Sequence, residues 1–198
     1  MGADTSSGVQ AVDVPPLKPI AIPARLADTP AGEPKYSVSV KNSIGEEVTV
    51  ADPNATRAAV ALMNIHAVVG GAACHWGGPA AFAEIMAATH AIMFATENRQ
   101  WHEAFNFVND AGHTENGVYA LRANYRFDGM DYKTLRGFRS IESKLTGHGE
   151  SHINPEGILI SNGPLGSGLP QSQGLAIGDK VAGNDRVTIC TISDGGMM

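Results

Sequence analysis

The sequence predicts an α/β fold, a doubly wound parallel sheet with helices on both faces, and three observations carry that prediction. The last third runs "GILIS", "NGPLGSG", "LPQSQGLAIGDKVAG" and "DRVTICTIS", the order of apolar strand, glycine loop, helix and apolar strand. A crossover of this kind lays its two strands parallel and packs the helix on the sheet. Upstream, "FNFVNDAGH" reads as a further strand running into a Gly-His turn, and "ENGVYALRANYRF" as the helix that follows it. With 43% hydrophobic and 17% charged residues, the 198-residue chain is long enough for one domain with a sizeable core plus an arm.

From the N-terminus, six of the 11 prolines fall within the first 34 residues, at Pro15, Pro16, Pro19, Pro23, Pro30 and Pro34. Proline fixes φ and removes a backbone donor, so residues 1–34 are expected to form an extended arm. "KYSVSV" and "EEVTV" alternate polar and β-branched residues around "KNSIG", which predicts a β-hairpin over residues 35–50. Asp52 offers a cap, Pro53 suits a first turn, and an Ala-rich run ends in a glycine pair, so a buried helix is expected over 53–69. "AAFAEIMAATHAIMF" has helical spacing and "DYKTLRGFRSIES" reads as another helix. "GILIS" is expected to be a short buried strand.

Lys and Arg total 14 against 20 Asp and Glu, a formal charge of −6, which argues against a broad nucleic-acid surface. Six basic residues crowd between Arg122 and Lys144, interleaved with Asp128, Asp131 and Glu142, and read as a solvated helical face. Cys74 and Cys190 lack CxxC spacing and lie in apolar surroundings, as expected of reduced buried thiols in a cytoplasmic protein. No early segment has the pattern of a secretory leader, and no apolar stretch is long enough to cross a bilayer.

In an open parallel sheet, ligands collect at the carboxyl ends of the strands. "DAGH", "NGPLGSG" and "SDGG" each follow an expected strand, so all three should gather on that edge. The glycine loop reads G-x-x-G-x-G, which is neither the dinucleotide fingerprint nor an ATP-binding P-loop. Its glycines either allow close approach to a ligand, with the next helix aiming its first amides into the same space, or simply join strand to helix. Asp194, a carboxylate at the end of a buried strand followed by Gly195 and Gly196, suits a hard cation such as Mg²⁺ shared with phosphate. Four of the seven histidines stand in glycine-containing loops: His75, His113, His148 and His152. Gathered on one face they would move protons and hydrogen-bond hydroxyls. "HGESH" has the wrong order for a zinc-protease helix, and no G-x-S-x-G elbow is present.

In order along the chain, "CHWGGPAAFAEIMAATH", "FVNDAGH", "LRGFRSIESKLTGHGE", "NGPLGSGLPQSQGLAIG" and "TISDGG" resemble the transketolase family's N-terminal, diphosphate-binding domain. There the pieces read S-G-H-P-G, F-V-L-S-x-G-H, L-x-x-F-R with G-H-P-E, T-G-P-L-G-Q-G and G-D-G. The resemblance implies a thiamine diphosphate-binding domain over residues 55–198, partial within the metal and diphosphate motif, behind an N-terminal extension over 1–54. It implies that His75, His113 and His148 line the channel to the reacting carbon, binding sugar hydroxyls and, for His113, the cofactor. Gly163 and Leu165 would contact the aminopyrimidine side, Asp194 would bind Mg²⁺ and the Gly195 amide would face the diphosphate. The cofactor in that family supplies the electron sink for moving a two-carbon unit from a ketose to an aldose.

Ser193, Gly149 and Trp76 depart from the family's Gly, Pro and Pro. The motif's downstream acidic residue and Asn, and the second domain with its activating Glu, are not in the sequence. The expectation is therefore a truncated or split subunit, the N-terminal part of a longer enzyme, inactive alone and dependent on a second copy, as in a dimer, or on a C-terminal transketolase subunit for action on sugar phosphates. Two alternatives stay open: another thiamine diphosphate enzyme, of the pyruvate dehydrogenase or deoxyxylulose-phosphate synthase type, and a non-catalytic partial domain that binds a partner.

Overall fold

The computed structural model describes residues 25–198. Most of the expected proline arm lies outside the described residues. Its last part, residues 25–34, has neither helix nor strand and is tied to the domain. The Ala27 amide donates to the Glu156 carbonyl at 2.8 Å, and the Trp101 indole donates to the Ala27 carbonyl at 2.8 Å.

β1 (Ser37–Lys41) and β2 (Glu47–Ala51) form the expected antiparallel hairpin, in register from Ser37 opposite Ala51 to Lys41 opposite Glu47. α1 (Pro53–Val69) starts at Asp52, whose carboxylate accepts the Asn54 amide at 2.8 Å, and stops at Gly70 and Gly71, the latter at φ +87°. The expected second helix is two pieces that meet at Phe82, α2 (Gly77–Ala81) and α3 (Ala83–Phe94). A four-residue helix, α4 (Trp101–Ala104), leads into β3 (Phe105–Asn109), then α5 (Glu115–Asn124), α6 (Gly168–Ala182) and β4 (Val187–Thr191).

β3 and β4 pair in parallel with Asn106 beside Thr188 and Phe107 beside Ile189. Alternation along the strands sends Phe107 and Ile189 into a core with α3 and α5, whereas Asn106 donates to Asp179 of α6 at 2.6 Å on the opposite face. Helices thus cover both faces of a two-stranded parallel sheet. α5 lies between two apolar clusters and all ten of its residues are buried. Fully burying Val118 or Leu121 is worth about 1.5–3 kcal/mol each.

Four sequence expectations need correction. Residues 131–143 are not a helix: one 3-10 turn, Thr134–Gly137, is followed by Arg139 at φ +62°, a conformation no α-helix continues through. "GILIS" is not a strand, because the Ile158 amide closes a turn on the Asn154 carbonyl and the Ser161 hydroxyl accepts the Ser151 amide. The basic stretch is no solvated face at its start, since Arg122 is 2% exposed. Cys74 and Cys190 are half-buried rather than buried, and both are free thiols.

Candidate active site

The three loops do meet at the carboxyl edge of the sheet, although one of them follows no strand. A residue missed by the sequence reading joins them. Asp110, directly after β3, extends the ladder by donating its amide to the Thr191 carbonyl at 2.8 Å. Its buried carboxylate accepts the Gly166 amide at 3.0 Å and the Gly168 amide at 2.7 Å. The Gly168 amide that opens α6, expected to face a ligand, is therefore held by the protein itself. Only glycine fits at two of these contacts: a Cβ on Gly168 would lie 2.8 Å from that of Asp110, and one on Gly166 would lie 3.0 Å from the Gly196 carbonyl.

His113 sits in the 3-10 turn Gly112–Thr114. Its ring lies 4.9 Å from that of His75, centroid to centroid. The His75 backbone is fixed from below: its carbonyl accepts from Asn64 of α1 at 2.7 Å and from Asn116 of α5 at 3.1 Å. His148, on the loop after Thr146, completes the group. Burial, then the neighbouring His75 and His148, lowers the His113 pKa from the usual histidine value. Burial, then Arg139 and His75, lowers that of His148. Both effects favour neutral rings, able to accept as well as donate. His152 does not join the group and faces Glu150 at 3.6 Å.

A cavity of about 240 Å³ opens beside this cluster, lined by Gly78, Phe82, His113, Ile192, Ser193 and Asp194 among others. Asp194 begins the 3-10 turn Asp194–Gly196, which Ser193 caps by accepting the Gly196 amide. Gly163, at φ +134°, packs near His148, and Leu165 reaches the next motif, since a Cβ on Gly195 would stand 3.4 Å from Leu165 Cδ1. Every site residue expected from the sequence thus lies on this edge: His75, His113 and His148 at one side, Gly163 and Leu165 on the glycine loop, Asp194 and Gly195 at the strand end.

Asp194 is the one carboxylate lining the cavity, and among the described residues no three His, Cys, Asp or Glu side chains gather to hold a metal. A hard cation bridged to phosphate oxygens needs few protein ligands, so this donor set fits Mg²⁺ brought with a diphosphate. The apolar walls of Phe82 and Ile192, with Leu165 close to Gly195, fit an aromatic ring beside that anionic end.

Two further groups escaped the sequence reading. Asn162 accepts the Gly149 amide at 2.6 Å through Oδ1 and donates through Nδ2 to the Asn109 carbonyl and Glu115 Oε2, both at 2.9 Å. Glu115 Oε2 also accepts from Asn109 Nδ2 at 2.8 Å, while Oε1 has no partner among the described residues. The signal available in sequence was an Asn, an Asp and a Glu set within seven residues after an apolar strand, at Asn109, Asp110 and Glu115.

Residues 53–191 match the family described as the transketolase, thiamine diphosphate binding domain. Transketolase-1, chloroplastic, of Arabidopsis thaliana is 35% identical over 89 residues, 45% of this chain and 12% of that protein. A transketolase of Aquifex aeolicus is 28% identical over 117 residues, 54% of this chain and 17% of that protein. The crystal structure of a Campylobacter jejuni transketolase superposes with a TM-score of 0.56 at 24% identity, over 73% of this chain and 24% of that one. The matched part of the chain thus spans under a fifth of these two curated relatives. No helix among the described residues is long and apolar enough to cross a membrane. With its α/β fold, its cluster of loops and a family match over most of its length, the chain belongs to the transketolase family through the thiamine diphosphate binding domain.

Proposed function

We propose that this chain takes part in thiamine diphosphate-dependent transfer of a two-carbon ketol unit between sugar phosphates, a transferase reaction, together with a second copy or a C-terminal transketolase subunit. The observation that carries this reading is the cluster of three imidazoles beside a cavity that His113 and Asp194 both line. His75 and His113 hold hydroxyls of the sugar, and His113 and His148, neutral near pH 7, take and return the hydroxyl proton as a carbon–carbon bond breaks. When bound, the cofactor supplies the electron sink; Leu165 and Gly163 flank its ring side, Asp194 holds Mg²⁺ and the Gly195 amide faces the diphosphate.

A partner is supported by what the described residues leave open. α6 turns Gly168, Ser172 and Asp179 inward and leaves Ile177 and Val181 exposed, beside Val187 on a strand paired along one edge only. Cytoplasmic action fits this soluble-metabolite chemistry. Calorimetry with thiamine diphosphate and Mg²⁺, followed by assay with xylulose phosphate or pyruvate as donor, tests the reading. Expected are binding and xylulose phosphate turnover once a C-terminal transketolase subunit is added, and a loss of about 100-fold or more in His113→Ala. Turnover of pyruvate instead, or no binding with the subunit present, overturns it.

A further inference from the structure

We infer that Asn162 and Glu115 are positioning residues, a half-buried amide bonded to a buried carboxylate, that set His148 and Gly163 at a fixed separation on the candidate site. The orientation of the Asn162 amide is determined by its partners. Gly149 N–H is only a donor, so it meets Oδ1; the Asn109 carbonyl and Glu115 Oε2 are acceptors, so they meet Nδ2. The side chain thereby spans three separate pieces of chain: the end of β3, the first residue of α5, and the His148–Gly149 turn. Its backbone is part of the same junction, since the Asn162 amide donates to the Gly149 carbonyl at 2.9 Å.

The packing leaves little room for any other arrangement. A Cβ on Gly112 would fall 2.5 Å from Asn162 Oδ1, 2.6 Å from His148 Cδ2 and 3.0 Å from the Gly163 amide, so three residues of the site meet at one bare glycine. Glu115 is 1% exposed, and its Oε2 gathers the Asn109 and Asn162 amides at once. The carboxylate accepts both on one oxygen and places no donor beside them, whereas an amide in its place also presents an NH2 that needs an acceptor in this buried pocket. Among the described residues Asn162 makes no hydrogen bond to the three histidine rings, and its one bond to a residue of the cavity wall is to the Asn109 backbone carbonyl, so its action on His148 runs through the turn that carries that ring.

The inference goes together with the proposed function, but it is read out without cofactor. Histidine-labelled 198-residue chain is followed by NMR, with His66 and His102 as distant references and urea unfolding as the check on folding. In Asn162→Ala the His148 ring signals are expected to move or split while those of His66 and His102 stay in place. Asn162→Asp sharpens the test. The new carboxylate faces Glu115 from α5, with Glu150, His148 and Arg139 as the charged or titratable neighbours from the turn and the loop before it. At high pH the two carboxylates repel and His148 is displaced; as pH falls a shared proton restores one donated bond and the His148 signals approach those of the wild type at the same pH. Glu115→Gln, the mildest change, serves if Asn162→Ala does not fold, and a smaller shift of His148 alone is expected there. Folded variants whose His148 signals superpose on the wild type at every pH overturn the inference. Failure of thiamine diphosphate to bind the wild type with the C-terminal subunit present, alongside a displaced His148 in the variants, would instead remove the proposed function and leave the positioning pair standing.

Discussion

Glu115 and Arg122 are the two buried charges of α5, one at each end, and the two ends are built on different terms. At the N-terminal end, one carboxylate oxygen takes two side-chain amides and the other has no partner among the described residues. At the C-terminal end, the Arg122 guanidinium donates Nε to His90 Nε2 at 3.3 Å and Nη1 to the Gly157 carbonyl, and is walled by rings, 4.8 Å from Phe127, 5.6 Å from Phe107 and 5.8 Å from Trp101. Both charges suit the helix dipole, negative at the start and positive at the end. Burial pushes the Glu115 pKa up, and burial brings the Arg122 pKa down to about 10, which leaves the guanidinium charged at neutral pH. The cation end is sealed and structural; the carboxylate end borders the site and is held only by groups that themselves carry loops.

The strongest way to break this contrast is Arg122→Ala. It leaves His90 Nε2 and the Gly157 carbonyl without a donor, opens a cavity among the rings and strips Glu115 of its compensating charge. A loss of about 3–5 kcal/mol in urea unfolding is expected. Glu115→Gln, which keeps the volume and one acceptor, is expected to cost about 1 kcal/mol on the same measurement. Equal costs at the two ends would dissolve the distinction.

Next in size is a dependence on pH. His90 accepts from Arg122, so it is neutral with its proton on Nδ1, which donates to the Met86 carbonyl at 3.1 Å. Burial first, then the Arg122 charge, lowers its pKa well below the usual value. The unfolded chain takes up that proton at about pH 6.5 and the folded chain does not, so stability is fully present above that value and falls as pH drops below it. The slope is at most about 1.4 kcal/mol per pH unit for this one group, with His113 and His148 acting in the same direction. His90→Gln, which keeps an acceptor for Arg122, is expected to flatten the decline in a series of unfolding midpoints between pH 7.5 and 5.

The smallest effect belongs to the exposed pair Arg99–Asp185, at 2.8 Å. Arg99→Ala is expected to cost less than about 1 kcal/mol and to fade in high salt, measured by the same unfolding curves. A larger cost would mean that charge outside α5 matters as much as charge within it.

What was legible in the sequence was local. Asp52, Pro53 and the Gly70–Gly71 pair bound α1 without help from elsewhere, and the hairpin, β3, α6 and β4 each carry their own period and breakers. The candidate histidines could be picked out because each stands in a glycine-containing loop, although only His113 follows a strand. What was not legible depends on partners far along the chain. Polar α5 reads as a surface helix until Asn64, His90, Gly157 and Asn162 are seen to satisfy its buried groups. "GILIS" has strand composition, but its backbone is spent on turns and side-chain bonds. Asp110 stands in the "DAGH" loop, but nothing local marks its role, because its partners lie 56 and 58 residues away.

That distance has a consequence for folding kinetics. Ser167, at the start of α6, gives the helix no side-chain cap, and its hydroxyl turns back to the Pro164 carbonyl at 2.7 Å. Asp110 supplies the missing acceptor from the far side of a long chain excursion. The first turn of α6 therefore gains its cap only after β3 is in place, whereas α1, capped by its neighbour Asp52, has no such wait. The loop cluster that carries the candidate site is, by this ordering, among the last parts of the molecule to become rigid.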